Sequence, residues 1–125
     1  MIIWITGKAG AGKTTYAKNV MKSCWFKLFH KCILLDGDDV RKYFPTGFSD
    51  KEREEHIMKI ARFAALLESQ GFTIFVALVS PKKKWRQEAR KLFKKSELVY
   101  LKGGMLWEGT TYEIPDEEEL QPVYR

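Results

Sequence analysis

Cysteines and long apolar stretches are both scarce in this sequence, and each scarcity excludes a class of protein. The two cysteines, Cys24 and Cys32, are too few for a disulfide scaffold and fit a reduced compartment as small buried hydrophobes. No apolar run approaches the ~20 residues that a membrane-spanning helix needs. The opening residues, Met1 to Thr6, lack the basic flank and cleavage pattern of a signal peptide. We therefore expect a cytoplasmic protein with no membrane partner.

The composition predicts one folded domain that meets an anionic partner. The chain has 125 residues, of which 45% are hydrophobic and 14% aromatic, so wholesale disorder is excluded. The 22 Lys and Arg residues outnumber the 16 Asp and Glu residues, and the net charge is +6. Such an excess favours binding of nucleotides or nucleic acid, although it says nothing about chemistry. Basic residues concentrate in 82–95, which we interpret as the solvated face of a helix rather than a nucleic-acid surface.

The order of apolar patterns predicts an α/β fold. Apolar runs at 2–5, 32–35, 72–79 and 98–101 predict four strands. Helical periodicity separates them, and Ser49 and Ser80 are expected to cap the second and third of these helices. Strands that alternate with helices form parallel sheets between helical layers. We therefore expect a three-layer fold with a mainly four-stranded parallel sheet in a core of residues 1–101, followed by an irregular segment at 102–125.

The buried faces of these helices can be assigned from their spacing. The residues expected to pack against the sheet are Ala17, Val20, Met21 and Cys24 in the first helix, Ile57, Ile60, Ala61, Ala64 and Leu67 in the second, and Trp85, Ala89, Leu92 and Phe93 in the third. Trp4, Trp25 and Trp107 are interpreted as packing residues. The acidic residues of 116–119 are interpreted as part of a solvated tail.

A glycine-rich loop after the first strand predicts a nucleotide site. Residues 7–14 satisfy G-x-x-x-x-G-K-[ST]. The residues predicted to bind the nucleotide are those of this motif and the one after it: Gly7, Lys8, Ala9, Gly10, Ala11, Gly12, Lys13, Thr14 and Thr15. Such a loop directs backbone N–H groups and a helix N-terminus at phosphate oxygens. Lys13 is expected to neutralise the β- and γ-phosphates of ATP, and Thr14 to ligate Mg²⁺. The strand before the loop and the helix after it argue against a chance glycine turn.

An acidic loop follows the second strand. Asp36, Asp38 and Asp39 stand at a strand end, where ligands of α/β sheets bind, with Arg41 nearby. The carboxylates could hold Mg²⁺ and accept a proton from an attacking hydroxyl, and Arg41 suits an anionic group of the acceptor. The same residues could instead form an ordinary Asx turn that caps a short helix. Both interpretations remain open on the residues alone.

Several segments together resemble one family. Leu35 to Arg41 is similar to the L-D-G-D-N-V-R segment of adenylyl-sulfate (APS) kinases. Further matches occur at Gly47-Phe48-Ser49 with Arg53 and Ile57, at Gly71 to Pro81, at Arg86, Ala89 and Arg90, and at Val99-Tyr100. The resemblance implies a P-loop kinase fold. It also implies transfer of the γ-phosphate of MgATP to the 3′-hydroxyl of adenylyl sulfate, a step of sulfate assimilation.

The resemblance also implies roles for individual residues. Asp36 and Asp38 would share the metal and base functions, with Asp36 and Thr14 at the metal, and Lys13 would act on the donor phosphates. Arg41 and Arg53 would hold the anionic end of the acceptor, and Phe44 is the nearest aromatic candidate for stacking on its adenine. Ser80 matches a serine often assigned as a phosphoserine intermediate. We favour acceptor binding by Ser80 over covalent catalysis, because no adjacent base is identifiable.

The sequence departs from the family pattern at the acceptor site and after the fourth strand. Asp39 and His56 replace asparagines, and Met58 replaces an arginine. His56 remains a candidate acceptor ligand. The basic lid that follows the fourth strand in the family is missing, and we expect substitutes either from Lys82, Lys83, Lys84 or Arg86 or from a second copy in a homodimer. Two alternatives remain: a kinase for another hydroxyl, such as a polynucleotide 5′-end, and a lidless nucleotide-binding module without turnover.

Overall fold

The computed structural model of the protein describes residues 1–23, 31–106 and 111–125. Cys24, Trp25 and Trp107, to which packing roles were assigned above, lie outside these residues. The described strands are β1 Ile2–Thr6, β2 Cys32–Asp36, β3 Thr73–Ala77, β4 Lys95–Tyr100 and β5 Val123–Tyr124. The described helices are α1 Lys13–Met21, α2 Gly37–Tyr43, α3 Asp50–Ser69 and α4 Lys83–Arg90. None of these helices is long and apolar enough to span a membrane.

The strands form one sheet in the order β2-β3-β1-β4-β5. The first four are parallel, so the predicted four-stranded parallel sheet is confirmed. The fifth was not predicted, because residues 102–125 carry no regular pattern. It pairs antiparallel with β4 through Ser96 opposite Val123. The segment expected to be irregular therefore returns to the edge of the sheet.

Helices cover both faces of the sheet, which explains why β3 is apolar along its whole length. All five residues of β3 are buried. On one face Trp4, Ile57, Ile60 and Phe93 belong to a single apolar cluster. On the other face Ile5, Ala17 and Phe75 form a second cluster, joined by partly buried residues of α1. The three predicted layers are confirmed, and the carboxyl ends of β1, β2 and β3 meet at one edge.

The start of α3 follows the predicted capping pattern. The Ser49 hydroxyl accepts a hydrogen bond from the Glu52 N–H at 3.2 Å and donates to Glu52 Oε1 at 2.7 Å. Glu52 Oε2 accepts from the Gly47 N–H at 2.8 Å. Hydrogen bonds from Ser49 and Gly47 lower the pKa of Glu52 below its ordinary value. The cap thereby fixes the turn that carries Phe48, immediately before the helix.

The region around α4 corrects four expectations. The helix begins at Lys83 with Lys82 as its N-cap residue, so Ser80 does not cap it. Leu92, expected to be buried, lies beyond the helix and is 42% exposed. Arg86 and Arg90 are buried rather than solvated, because hydrogen bonds to the C-terminal segment and β4 satisfy their charged groups. Glu119 is likewise buried, so the interpretation of 116–119 as a solvated tail is wrong at that position.

Two substitutions in α3 test this assignment of the core. Ile60 is 1% exposed and Leu66 is 53% exposed on the same helix. Ile60→Ala should reduce the free energy of unfolding by about 2–5 kcal/mol, because it leaves a cavity in the main cluster. Leu66→Ala should cost less than about 1 kcal/mol. Urea unfolding followed by circular dichroism measures both, and equal losses would contradict the described packing.

Candidate nucleotide and acceptor site

The glycine-rich loop connects β1 to α1 with the backbone geometry that its glycines allow. Gly10 and Gly12 have φ values of 79° and 94°, in the left-handed region, and a Cβ at either position would meet open space. Gly7 is required for another reason: a Cβ there would lie 2.7 Å from the Leu101 carbonyl oxygen. Lys13 Nζ donates to the Lys8 carbonyl at 2.8 Å. Burial lowers the pKa of Lys13, and the charges of Asp38 and Asp36 oppose that shift.

Asp36 combines the two interpretations that the sequence left open. It is the N-cap residue of α2, and its Oδ1 accepts from the Asp38 N–H at 2.9 Å. Its Oδ2 accepts a hydrogen bond from the Thr14 hydroxyl. The cap therefore holds the carboxylate against the phosphate loop. Two hard oxygen atoms, one from the start of α1 and one from the end of β2, thus lie side by side, which fits Mg²⁺ shared with nucleotide phosphates.

A cavity of about 400 Å³ lies between the phosphate loop and the strand ends. Most of the predicted site residues line it: Ala9, Gly10, Gly12, Lys13, Thr14, Thr15, Asp36, Asp38, Arg41, Arg53, His56 and Ser80. Gly7, Lys8 and Ala11 belong to the loop without lining the cavity. Phe44 lies outside it, is 53% exposed, and has the Lys59 ammonium 5.5 Å from its ring centre.

Among the described residues, Phe48 is the phenylalanine that lines the cavity, and it is 51% exposed. The Arg41 guanidinium lies 4.4 Å from the centre of its ring, and the Arg53 guanidinium lies 6.0 Å from it. Arg41 Nη1 also donates to the carbonyls of Thr46 and Gly47 at 3.2 and 3.1 Å. Sequence reasoning missed Phe48, although the Gly47-Phe48-Ser49 segment directly before the helix cap was the available signal.

His56 is a buried polar group with unusual surroundings. Its side chain is 2% exposed, and neither ring nitrogen has a hydrogen-bond partner among the described residues. Burial, assisted by the charge of Arg41, lowers the pKa of His56 to about 4. The imidazole is therefore neutral near pH 7 and presents one donor and one acceptor at the cavity wall.

Ser80 lies at the cavity but turns its hydroxyl into the core. The hydroxyl accepts from Trp4 Nε1 at 3.0 Å and donates to Thr6 Oγ1 at 3.0 Å. Its side chain is 1% exposed, and its φ is 30°. These contacts give the Ser80 side chain a structural function at the end of β3. They provide neither an adjacent base nor an exposed nucleophile.

Residues 101–106 run from β4 back to the phosphate loop. The Leu101 N–H donates to the Thr6 carbonyl at 3.0 Å, and the Met105 N–H donates to the Ala9 carbonyl at 2.8 Å. Gly104 lies so close to the loop that a Cβ there would be 3.1 Å from the Lys8 carbonyl oxygen. Met105 and Leu106 line the cavity as a result. No residue pattern in this segment predicted the contact.

The basic side chains expected to replace a lid lie away from the cavity. Lys82 Nζ is 3.3 Å from an Asp50 carboxylate oxygen, and Lys83 Nζ is 2.5 Å from one of Asp116. Arg86 is fully buried, so the expectation that it could substitute for the lid is wrong. None of the four candidates, Lys84 included, lines the cavity.

The phosphate loop, the strand order and the acidic strand end define a P-loop kinase fold. A family model described as adenylylsulphate kinase matches residues 1–106, and the chain belongs to that family. It is 43% identical over 101 residues to a probable adenylyl-sulfate kinase of Archaeoglobus fulgidus, covering 79% of this chain and 64% of the relative. It is 37% identical over 105 residues to one of Bacillus subtilis, covering 81% of this chain and 53% of the relative.

The fold agrees with a solved structure in the same family. The APS kinase of Mycobacterium tuberculosis in complex with AMPPNP and APS matches with a TM-score of 0.72 and 29% identity. The match covers 79% of this chain and 60% of that one. The chain thus spans about half to two thirds of the length of these relatives.

The depressed pKa of His56 predicts a pH-dependent stability. Its folded pKa is about 4, against an ordinary value of 6.5. Between these values the unfolded chain binds a proton that the folded chain does not, so the free energy of unfolding should fall as the pH falls. Urea midpoints across this range should fall less steeply for His56→Asn than for the parent. Identical slopes would contradict the assignment.

Proposed function

We propose that the protein is an ATP-dependent kinase that transfers the γ-phosphate of ATP to the 3′-hydroxyl of adenylyl sulfate. The observation that carries the proposal is the hydrogen bond between Thr14 and Asp36. It joins the loop suited to the donor phosphates to the strand end suited to the acceptor, within one cavity. The reduced cytoplasm is the compartment that we infer for this reaction.

The donor side rests on the phosphate loop. Backbone N–H groups of the loop and the N-terminus of α1 would bind the phosphates of ATP, and Lys13 would neutralise charge that builds up on the transferring group. Thr14 and Asp36 would hold Mg²⁺, which supplies charge neutralisation at the phosphates when it is bound. The described contact of Lys13 with the Lys8 carbonyl keeps its ammonium within the curl of the loop.

The acceptor side rests on residues of α2, α3 and the turn between them. Arg41 and Arg53 would bind the anionic end of adenylyl sulfate, and the face of Phe48 would carry its adenine. His56 would donate or accept one hydrogen bond from the acceptor and so satisfy a ring nitrogen. The Mycobacterium tuberculosis relative was solved with AMPPNP and APS, and this supports the pairing of the two ligands.

Asp38 is our candidate for the base. Both oxygens of Asp36 are committed to hydrogen bonds, one with Thr14 and one with the Asp38 N–H. Asp38 lines the cavity, and no described residue donates a hydrogen bond to its carboxylate oxygens. It would accept the proton of the attacking hydroxyl as the phosphoryl group transfers.

A second candidate function is nucleotide binding without turnover. The observation that favours it is the contact of residues 101–106 with the phosphate loop, at the position where the family carries a lid. If no basic residue closes over the donor, transfer would be slow relative to hydrolysis by water. Phosphorylation of a polynucleotide 5′-end has less support, because Lys82 and Lys83 are paired with acidic residues.

One transfer experiment separates these functions. The protein is incubated with γ-labelled MgATP and adenylyl sulfate, a 5′-hydroxyl oligonucleotide, or no acceptor. We expect label on adenylyl sulfate, because it brings one anionic group for the two arginines and one adenine for Phe48 into a cavity of about 400 Å³. Label on the oligonucleotide would replace the proposal with polynucleotide phosphorylation. Tight ATP binding with no transfer in any reaction would establish the nucleotide-binding module.

Adjacent carboxylates provide a matched test of the base. Asp38→Asn should reduce kcat about a hundredfold or more while the affinity for ATP stays nearly constant, because it removes the proton acceptor but keeps the side-chain shape. Asp39 is exposed, lies outside the cavity and pairs with Lys42, so Asp39→Asn should leave kcat within about twofold. Steady-state kinetics measures both, and equal effects would remove Asp38 from the mechanism.

A further inference from the structure

Arg86 joins three separate parts of the chain at one buried guanidinium. Its side chain is 0% exposed within α4. Nε lies 2.5 Å from Glu119 Oε1, and Nη2 lies 3.2 Å from Glu119 Oε2, so the charge is paired by both carboxylate oxygens. Nη1 donates to the Ser80 carbonyl at 2.8 Å, and Nη2 donates to the Glu113 carbonyl at 2.8 Å. One side chain therefore ties α4, the C-terminal segment and the end of β3 together.

The turn that Arg86 holds forms a wall of the cavity. Residues 77–81 all line it. The turn lies on the side of His56, the candidate acceptor ligand, because a Cβ at Gly37 would be 2.5 Å from Leu78 Cδ1 and 3.7 Å from His56 Nε2. Within this turn Ser80 has a φ of 30°, and no other non-glycine residue in the described part of the chain has a positive φ. Such a conformation costs free energy and persists only where surrounding contacts enforce it. The hydrogen bond from Arg86 to the Ser80 carbonyl is one of those contacts.

The C-terminal segment reaches the same turn by its own backbone. The Glu113 N–H donates to the Pro81 carbonyl at 2.7 Å. The Tyr112 hydroxyl lies 2.7 Å from Thr6 Oγ1, which also contacts the Ser80 hydroxyl at 3.0 Å. The carbonyls of Ser80 and Pro81 are thus both held, one by Arg86 and one by Glu113. Glu119 in turn binds the Arg86 guanidinium that donates to the Ser80 carbonyl.

We propose that Arg86 is a positioning residue for the acceptor half of the cavity. Paired with Glu119, it fixes the Ser80 carbonyl and so holds the Leu78–Pro81 turn in the conformation that shapes the cavity wall. That the acceptor is adenylyl sulfate rests on the proposed function, whereas the positioning of the turn by Arg86 does not. In this protein the segment after residue 110 therefore contributes to the site without touching the ligand.

Arg90 provides a matched control, because it shares the burial and the tail contacts of Arg86 but does not contact the turn. It lies one turn further along α4 and is 6% exposed. Its guanidinium donates to the Glu119 and Gln121 carbonyls and to Ser96. None of its described hydrogen bonds reaches residues 78–81. A lysine at either position keeps the charge but loses the planar fork of donors.

The experiment compares Arg86→Lys with Arg90→Lys in the full chain. Hydrogen–deuterium exchange of the amides of Leu78 to Ser80 should accelerate about fivefold or more in Arg86→Lys and stay at the parental rate in Arg90→Lys. The acceptor KM should rise about fivefold or more in Arg86→Lys, with the KM for ATP nearly unchanged. Arg90→Lys should lower the urea midpoint without either effect. Equal behaviour of the two variants would reduce Arg86 to a purely structural residue.

The exchange measurement keeps this inference separate from the proposed function. If the parent protein fails to phosphorylate adenylyl sulfate, the proposed function is wrong, and exchange at the turn still decides the role of Arg86. If Arg86→Lys does not fold, Glu119→Gln replaces it, because it removes the paired charge and keeps the side-chain shape. Faster exchange at Leu78 to Ser80 in that variant supports the positioning role, and parental exchange overturns it.

Discussion

The site depends on one contact between the start of α1 and the end of β2, the hydrogen bond that Thr14 donates to Asp36. A phosphate loop by itself binds phosphates, and an acidic turn by itself caps a helix. The contact makes them parts of one cavity, because it fixes the end of β2 against the start of α1. It exists because β1, β2 and β3 run parallel, so that their carboxyl ends meet at one edge. The sheet topology is therefore the first requirement for the chemistry.

Residues far from the phosphates shape the rest of the cavity. Glu52, held by Ser49, fixes the Gly47 backbone and thereby places Phe48 between the cavity and solvent. Arg86, held by Glu119, fixes the Ser80 carbonyl in a turn that also lines the cavity. In each case a carboxylate in a hydrogen-bond network sets the position of backbone that the ligand would meet. Helix caps and buried ion pairs thus act here as elements of the site as well as of the fold.

The features predicted from sequence were those with local causes. The phosphate loop, the cap at Ser49 and the uniformly apolar β3 each follow from residue types at fixed spacing, and all three are present. The predictions that were wrong depended on distant partners. In the sequence Arg86 and Arg90 are typical of solvated charges. In the structure both form hydrogen bonds with Glu119, which lies about thirty residues further along the chain. Ser80 followed by Pro81 resembles a helix start in the sequence, but in the structure the serine hydroxyl forms hydrogen bonds with Trp4 and Thr6 instead.

The choice of Phe44 over Phe48 has the same origin. Both aromatic residues follow the acidic loop, and only the folded structure shows that Phe48, beside the Arg41 and Arg53 guanidinium groups, is the one that lines the cavity. The burial of the His56 ring, whose nitrogens have no hydrogen-bond partner among the described residues, was not predicted either, because its neighbour Gly37 belongs to another segment of the chain. Long-range geometry, rather than composition, sets these details.

The crossing of residues 101–106 over the phosphate loop limits where the chain could be lengthened. At Gly7 and Gly104 two backbones approach so closely that neither position has room for a side chain. Extra residues inserted before Met105 would push one backbone off the other and open the loop. A protein engineer who wished to graft a longer covering element onto this scaffold would therefore have to attach it beyond Leu106, leaving the crossing intact.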